Sequence, residues 1–193
     1  MYVFLTGTPS AEELTKFTVT DGGDSDDEAL SCSGGRRDNG CFSVRFMWRT
    51  NGAGELYTYL PPDYDENQAV CDIPPFSTCN DVYGASVGRG SFTFNTGGRT
   101  TIGQRVRLND VGAANGELEL FVAGKSLFSV GGLVLRDNSS GRIRGLQMQT
   151  FFGGEHFASV CSFESAPRSD GTCRLSVHSA NLCRSTAAEA MTS

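Results

Sequence analysis

The sequence predicts an all-β fold, a jelly-roll β-sandwich of two antiparallel sheets, and three observations carry that expectation. Short runs of alternating apolar and polar residues recur from Phe42–Arg49 to Arg144–Phe152, and alternate side chains of a strand face opposite sides of a sheet. Clusters of Gly, Asn, Asp and Ser separate these runs, as turns require. The composition agrees, since 24 Gly and 13 Phe against 6 Pro in 193 residues favour sheet over helix. A chain of this length is the size of one β domain with a substantial core.

Residues 1–21 form an atypical N-terminal segment with a weak helical stretch at Ser10–Lys16. Met1–Ser10 lacks the basic start and sustained apolar run of a secretory leader. From Asp21 to Gly40 the chain reads as a polar loop rich in Gly and Asp. Phe42–Arg49 is then a strand with Phe42, Val44, Phe46 and Trp48 as a core stripe and Ser43, Arg45, Met47 and Arg49 on the other side. If the turn Thr50–Gly54 returns the chain, Tyr57 and Tyr59 line up beside Ser43 and Arg45 in one shallow, open surface. Pro61–Cys79 is a long connection of the kind that crosses a sheet end or carries function.

The strand pattern resumes at Ser91–Asn95, at Thr101–Leu108 with Ile102, Val106 and Leu108 inward, and at Glu117–Val122 with Leu118, Leu120 and Val122 inward. Ala123–Lys125 turns the chain, and Arg144–Phe152 places Leu146, Met148 and Phe152 on one face and Gln147 and Gln149 on the other. These elements define a β domain over residues 22–160. Residues 161–193, rich in Ser, Ala, Arg and Cys, are expected to be a disordered tail.

A net charge of -6 disfavours a general nucleic-acid binder, which needs a positive excess against phosphate. No apolar window is long enough for a membrane helix, so no membrane partner is expected. Lys16 and Lys125 are the only lysines; the remaining cations are arginines, whose planar fork suits bidentate contact with carboxylates. Seven cysteines indicate an oxidising, extracellular setting. Cys32 with Cys41 and Cys71 with Cys79 are the preferred disulfides, leaving Cys161, Cys173 and Cys183. The spacings are not those of zinc pairs and His156 and His178 are remote from them, so neither metal nor cofactor is expected. Asn138-Ser139-Ser140 is a glycosylation sequon.

Several separated stretches, in order, resemble fungal members of polysaccharide lyase family 14: Phe42–Arg49, Gly54–Tyr59, Tyr83–Phe92 and Thr150–Gly154. The resemblance spans roughly Gly22 to Gly154. It implies a jelly roll that cleaves polyuronates such as alginate or glucuronan by β-elimination without a required metal. It also implies that Ser43 and Arg45 are the family's groove serine and arginine, and Tyr57 and Tyr59 its paired tyrosines. Relatives carry an essential lysine in a Gly-Gly-Lys-Leu-Pro-Gly-like stretch before a Gly-Gly-Asp loop. Here that stretch is replaced by Thr15–Asp21, and Lys16 lies at a suitable distance from Gly22-Gly23. From Glu155 onward the family's Trp-containing segment and closing strand are not reproduced, so both ends depart from the pattern.

Elimination removes the C5 proton beside a carboxylate, which demands a cation on that carboxylate and a base; Arg45 is the candidate cation. Tyr57 or Tyr59 is the candidate base or acid, with Lys16 as partner in proton transfer and Ser43 orienting substrate. A tyrosine with its ordinary pKa of about 10 needs nearby cations to lose its proton. Arg49, Arg89, Gln147 and Gln149 are candidate groove-lining residues for an acidic polysaccharide, and a monomer is expected. Glu117 and Glu119 would be a glycosidase pair only if they left an ordinary solvent-facing strand. The rival reading is a carbohydrate-binding jelly roll that holds polyuronate without cutting it.

Overall fold

The computed structural model describes residues 2–4, 14–95, 97–147, 149–153 and 161–162, and side chains from Thr20 to Leu146 apart from residue 96. Its strands are β1 (Tyr2–Phe4), β2 (Leu14–Gly23), β3 (Cys41–Trp48), β4 (Ala53–Tyr59), β5 (Ala85–Thr93), β6 (Arg99–Arg107), β7 (Gly116–Val122), β8 (Lys125–Leu133), β9 (Arg142–Gln147), β10 (Gln149–Gly153) and β11 (Cys161–Ser162). One short helix, α1 (Asp26–Ala29), follows β2, its N-cap supplied by Ser25 Oγ accepting from the Glu28 N–H.

The strands make two antiparallel sheets, the jelly-roll sandwich that the alternation predicts. The smaller has the order β1-β6-β7-β8, the larger β11-β10-β2-β3-β4-β5, with β9 also paired to β2. Between them lies the main core. Phe42, Val44, Phe46, Leu56, Val87, Phe92 and Phe94 come from the larger sheet and its exit; Ile102, Leu118, Leu120, Val130 and Leu133 come from the smaller. The expected stripe from Phe42 to Trp48 thus faces this core, with Trp48 and Phe92 both packed on Phe94 at ring centroid distances of 5.4 and 4.8 Å. Burying each such side chain contributes about 1.5–3 kcal/mol, so the inner faces fix which side of β3 and β4 is left for chemistry.

Two buried asparagines hold the connections to the sandwich. Asn67, in the 3-10 turn Asp65–Asp72, donates to the Pro61 and Val134 carbonyls and accepts from the Val134 N–H. Asn109 donates to the Arg136 carbonyl and accepts from the N–H groups of Leu135 and Arg136. Each side-chain amide satisfies backbone groups that lie outside the ladders.

The structure corrects several expectations. The helical stretch at Ser10–Lys16 gives way to β2 from Leu14 onward, so the boundary drawn at residue 21 falls inside a central strand. Its alternation was hidden by a bulge between Phe17 and Val19. Strand β8 was missed because Gly131, Gly132 and mostly exposed side chains break its apolar pattern. The expected strand Arg144–Phe152 is two strands, and Leu146 is 71% exposed. Met148 and the segment 163–193 lie outside the described residues.

Candidate active site

The outer face of the larger sheet is built by the hairpin β3-β4. Its register pairs Ser43 with Tyr59, Arg45 with Tyr57 and Met47 with Glu55, so these six side chains share one face, away from the main core. The next pairing sets Ser86 of β5 beside Tyr57, and Asp21 of β2 beside Ser43. The hairpin turn is tight, with Asn51 and Gly52 both at positive φ (60° and 74°), a conformation that Asn and Gly adopt most readily.

At the centre stand the two tyrosines. Their rings meet edge to face at 5.7 Å, and the Tyr57 hydroxyl lies within electrostatic reach of Tyr59 and of the Gly84 backbone N–H. Gly84 is required there: a Cβ would lie 2.4 Å from the Thr58 carbonyl and 3.0 Å from each tyrosine ring. Arginine flanks the pair on both sides, Arg45 with its guanidinium 5.1 Å from the Tyr59 ring centre and Arg49 at 5.8 Å from that of Tyr57.

The expected open surface is covered at the Tyr59 end. Ser43, Arg45 and Tyr59 are 1%, 4% and 1% exposed, because the loop closed by the Cys32–Cys41 disulfide folds over them. Ser43 Oγ donates to the Cys32 carbonyl at 2.7 Å, and the Arg45 guanidinium donates to the same carbonyl at 3.0 Å and to Ser43 Oγ at 3.2 Å. Gly35 N–H donates to the Tyr59 hydroxyl at 3.2 Å. The serine hydroxyl expected to orient substrate is therefore already committed within the protein. The Arg45 guanidinium, expected to grip a substrate carboxylate, lies beneath Tyr59, and burial lowers its affinity for the proton while the nearby tyrosines and Asp21 raise it. The second expected disulfide, Cys71–Cys79, is also formed.

At the other end the face opens around Glu55, a residue that the sequence reading passed over. Glu55 is fully buried (0% exposed) and is held by Arg49 at 2.9 Å on one oxygen and by Arg89 at 2.8 Å and Ser86 at 2.5 Å on the other. Arg89 reaches it because pairing between β4 and β5 jumps from Leu56–Val87 to Gly54–Phe92, leaving residues 88–91 as a bulge opposite Glu55. Gly88 and Gly90, both at positive φ, make that bulge possible. Arg89 also stacks on Phe76 at 5.1 Å.

Other candidates fall differently. Backbone register places Lys16 opposite Met47 on one side and Phe151 on the other, Gln147 opposite Val19, and Gln149 opposite Ser162; their side chains lie outside the described residues. Glu117 and Glu119 belong to the smaller sheet, where both pair with Arg105 and Glu117 also with Arg107, a surface ladder and no hydrolytic pair. The amide nitrogen of sequon residue Asn138 donates to Asp24 and Asp137. Among the described residues no group of three His, Cys, Asp or Glu side chains is placed to hold a metal ion.

Burial, reinforced by the neighbouring hydroxyl of Tyr59, pushes the Tyr57 pKa up to about 12, against the lowering effect of Arg49 and the Gly84 N–H. The folded state thus favours neutral Tyr57. That stability is complete below the ordinary tyrosine value of about 10 and is lost as pH rises towards about 12. Denaturant unfolding across this window should show the wild type losing stability more steeply than Tyr57→Phe; equal slopes would contradict the assignment.

The family profile for polysaccharide lyase 14 matches residues 16–165 of this two-sheet jelly roll. The chain belongs to that family, and the match extends beyond the Gly22–Gly154 stretch on which the resemblance rested. Among solved structures it is similar to the marine PL-14 alginate lyase from Aplysia kurodai, with 29% identity and a TM-score of 0.60 over 77% of this chain and 64% of that one. It shares its fold with alginate lyase vAL-1 from Chlorella virus, with 21% identity and a TM-score of 0.60 over 80% of this chain and 60% of that one. The chain thus spans less than two thirds of the length of either. Among curated proteins none matches the sequence.

Proposed function

We propose that the protein is an extracellular polyuronate lyase that acts by β-elimination at Tyr57 and Tyr59. The observation that carries this reading is the edge-to-face tyrosine pair set between two guanidinium groups on the outer face of the larger sheet. In elimination the C5 proton leaves, the C4–O bond breaks, a C4–C5 double bond forms and the departing oxygen takes up a proton. Tyr57, the more exposed of the pair and held neutral by its raised pKa, is the proton donor to the leaving oxygen. Tyr59, covered by the loop, enters as the phenolate beside Arg45: Tyr57 takes up the C5 proton as it passes its own to Tyr59, and recovers that proton as it protonates the leaving oxygen, so the pair ends as it began. Arg45, buried beside Tyr59, supplies a fixed positive field for the charge that develops, where low dielectric makes that field count for more. Direct contact with the substrate carboxylates falls to the partly exposed Arg49 and Arg89. Lys16, Gln147 and Gln149 belong to the same reading through the register of β2, β9 and β10.

The substrate class rests on the alginate lyases of similar structure and on this cationic rim; alginate and glucuronan both satisfy it. Two disulfides and the family support an extracellular location. Mixing the purified protein in parallel with polyglucuronate, polymannuronate and polyguluronate should produce ultraviolet absorbance from unsaturated ends on at least one polymer. The covering of Ser43, Arg45 and Tyr59 favours a second reading, a jelly roll that binds polyuronate without cleaving it. Folded protein that binds these polymers but yields no absorbance would select that reading.

A further inference from the structure

We propose that Glu55 is a positioning residue that clamps Arg49 and Arg89 into a paired reader of uronate carboxylates beside the tyrosines. The proposal rests on the polyuronate reading above and names how its substrate is held.

One buried carboxylate with two arginines leaves an excess positive charge on this rim. Arg49 spends Nε and one terminal nitrogen on Glu55 Oε1; Arg89 spends only Nε, on Glu55 Oε2 and Ser86 Oγ. Among the described residues the other Arg89 nitrogens and the second terminal nitrogen of Arg49 have no partner, and the two side chains are 31% and 19% exposed. A guanidinium anchored through Nε keeps its terminal N–H groups for a second anion, and a fork already fixed loses little freedom on binding.

Stability alone is a weak reason for the arrangement. Burying a carboxylate completely is costly, and an apolar residue of similar volume commonly serves a fold as well as a buried ion pair. The bulge at residues 88–91 interrupts the ladder and brings Arg89 onto Glu55 instead of leaving it in regular pairing. Both arginines are also fixed at their aromatic neighbours, Arg49 over Tyr57 and Arg89 over Phe76. The clamp therefore ties the carboxylate reader to the proton-donating tyrosine, so that a sugar carboxylate bound at Arg49 lies next to the reacting ring.

The test is calorimetric titration of a uronate tetrasaccharide into Tyr57→Phe protein, alone and with Glu55→Gln or Arg89→Ala added, over a series of salt concentrations. Kd should weaken about tenfold or more in both variants, as loss of a charged hydrogen bond predicts, and the dependence of log Kd on log salt should become shallower in Arg89→Ala, which removes a cation, but not in Glu55→Gln, which removes an anion. In the otherwise wild-type enzyme Glu55→Gln should raise KM by a similar factor with kcat changed less. Unchanged affinity in either variant, or weaker affinity of Arg89→Ala with an unchanged salt slope, overturns the proposal. If Glu55→Gln does not fold, Arg89→Ala decides the matter, since its partly exposed side chain can be removed without opening the core. Binding with this pattern in a protein that cleaves nothing would uphold the clamp and refute the lyase reading; absence of any uronate binding would refute both.

Discussion

Replacing Tyr57 with Phe should lower kcat on the preferred polyuronate by about 10²–10⁴-fold, with Tyr59→Phe falling in the same range, while affinity for the polymer stays within a few-fold of wild type. The argument is local. Each substitution deletes one hydroxyl and leaves the edge-to-face rings, the Arg45 and Arg49 contacts and the Gly84 approach in place. What is lost is one of the two hydroxyls through which the proposed proton steps are linked. Neither hydroxyl is a carboxylate reader, so binding should be spared. Single-turnover absorbance at saturating polymer, with Kd measured separately, makes the distinction. Full activity in both variants would remove the tyrosines from the mechanism and with them the proposed chemistry.

The second large effect is expected from Cys32→Ala with Cys41→Ala. The bridge closes a short loop, with the cysteines nine residues apart, and loop-closure entropy alone predicts a loss of about 2–3 kcal/mol. The functional loss should exceed what stability explains. The Cys32 carbonyl is the shared acceptor for Ser43 and Arg45, and Gly35 in the same loop donates to Tyr59. Releasing the loop leaves a buried guanidinium without its acceptor, a larger penalty than that of an ordinary hydrogen bond. Activity assayed well below the variant's midpoint of unfolding should fall at least tenfold, in line with the loss of a charged hydrogen bond. A variant that is merely less stable but equally active when folded would show that the loop plays no part in catalysis.

How much of this could be read from the chain varies with the range of the interactions involved. The β3-β4 hairpin was legible because its alternation is clean and its turn carries Asn51-Gly52, so the shared face of Ser43, Arg45, Tyr57 and Tyr59 followed from period two alone. The two disulfides followed from cysteine spacing and polar intervening loops. Strand β2 was not legible, because its bulge at Phe17/Val19 shifts the alternation by one residue. The covering of Arg45 was not legible either, since it depends on where one backbone carbonyl, that of Cys32, comes to rest. Glu55 was overlooked for a related reason: a single glutamate at the start of the strand after Gly54 carries no mark of burial. Only the arrival of Arg89 from β5 reveals why a carboxylate is buried there. A signal existed in the Gly88-Arg89-Gly90 triplet, which marks a break in an otherwise regular strand.

The pairing distances along the chain also order the assembly of the site. Ser43 pairs with Tyr59 and Arg45 with Tyr57 across a short hairpin, whereas Val19 must find Gln147 near the opposite end of the described chain. Contacts of short sequence separation carry a smaller loop-closure cost and form sooner. The tyrosine pair and its arginine therefore arise on the earliest-forming part of the larger sheet, and the late pairing of β9 and β10 onto β2 adds a flank to a face already laid out. Sequence change in those late strands can reshape the flank of this face while the spacing of the two tyrosine hydroxyls stays set by a turn of a few residues.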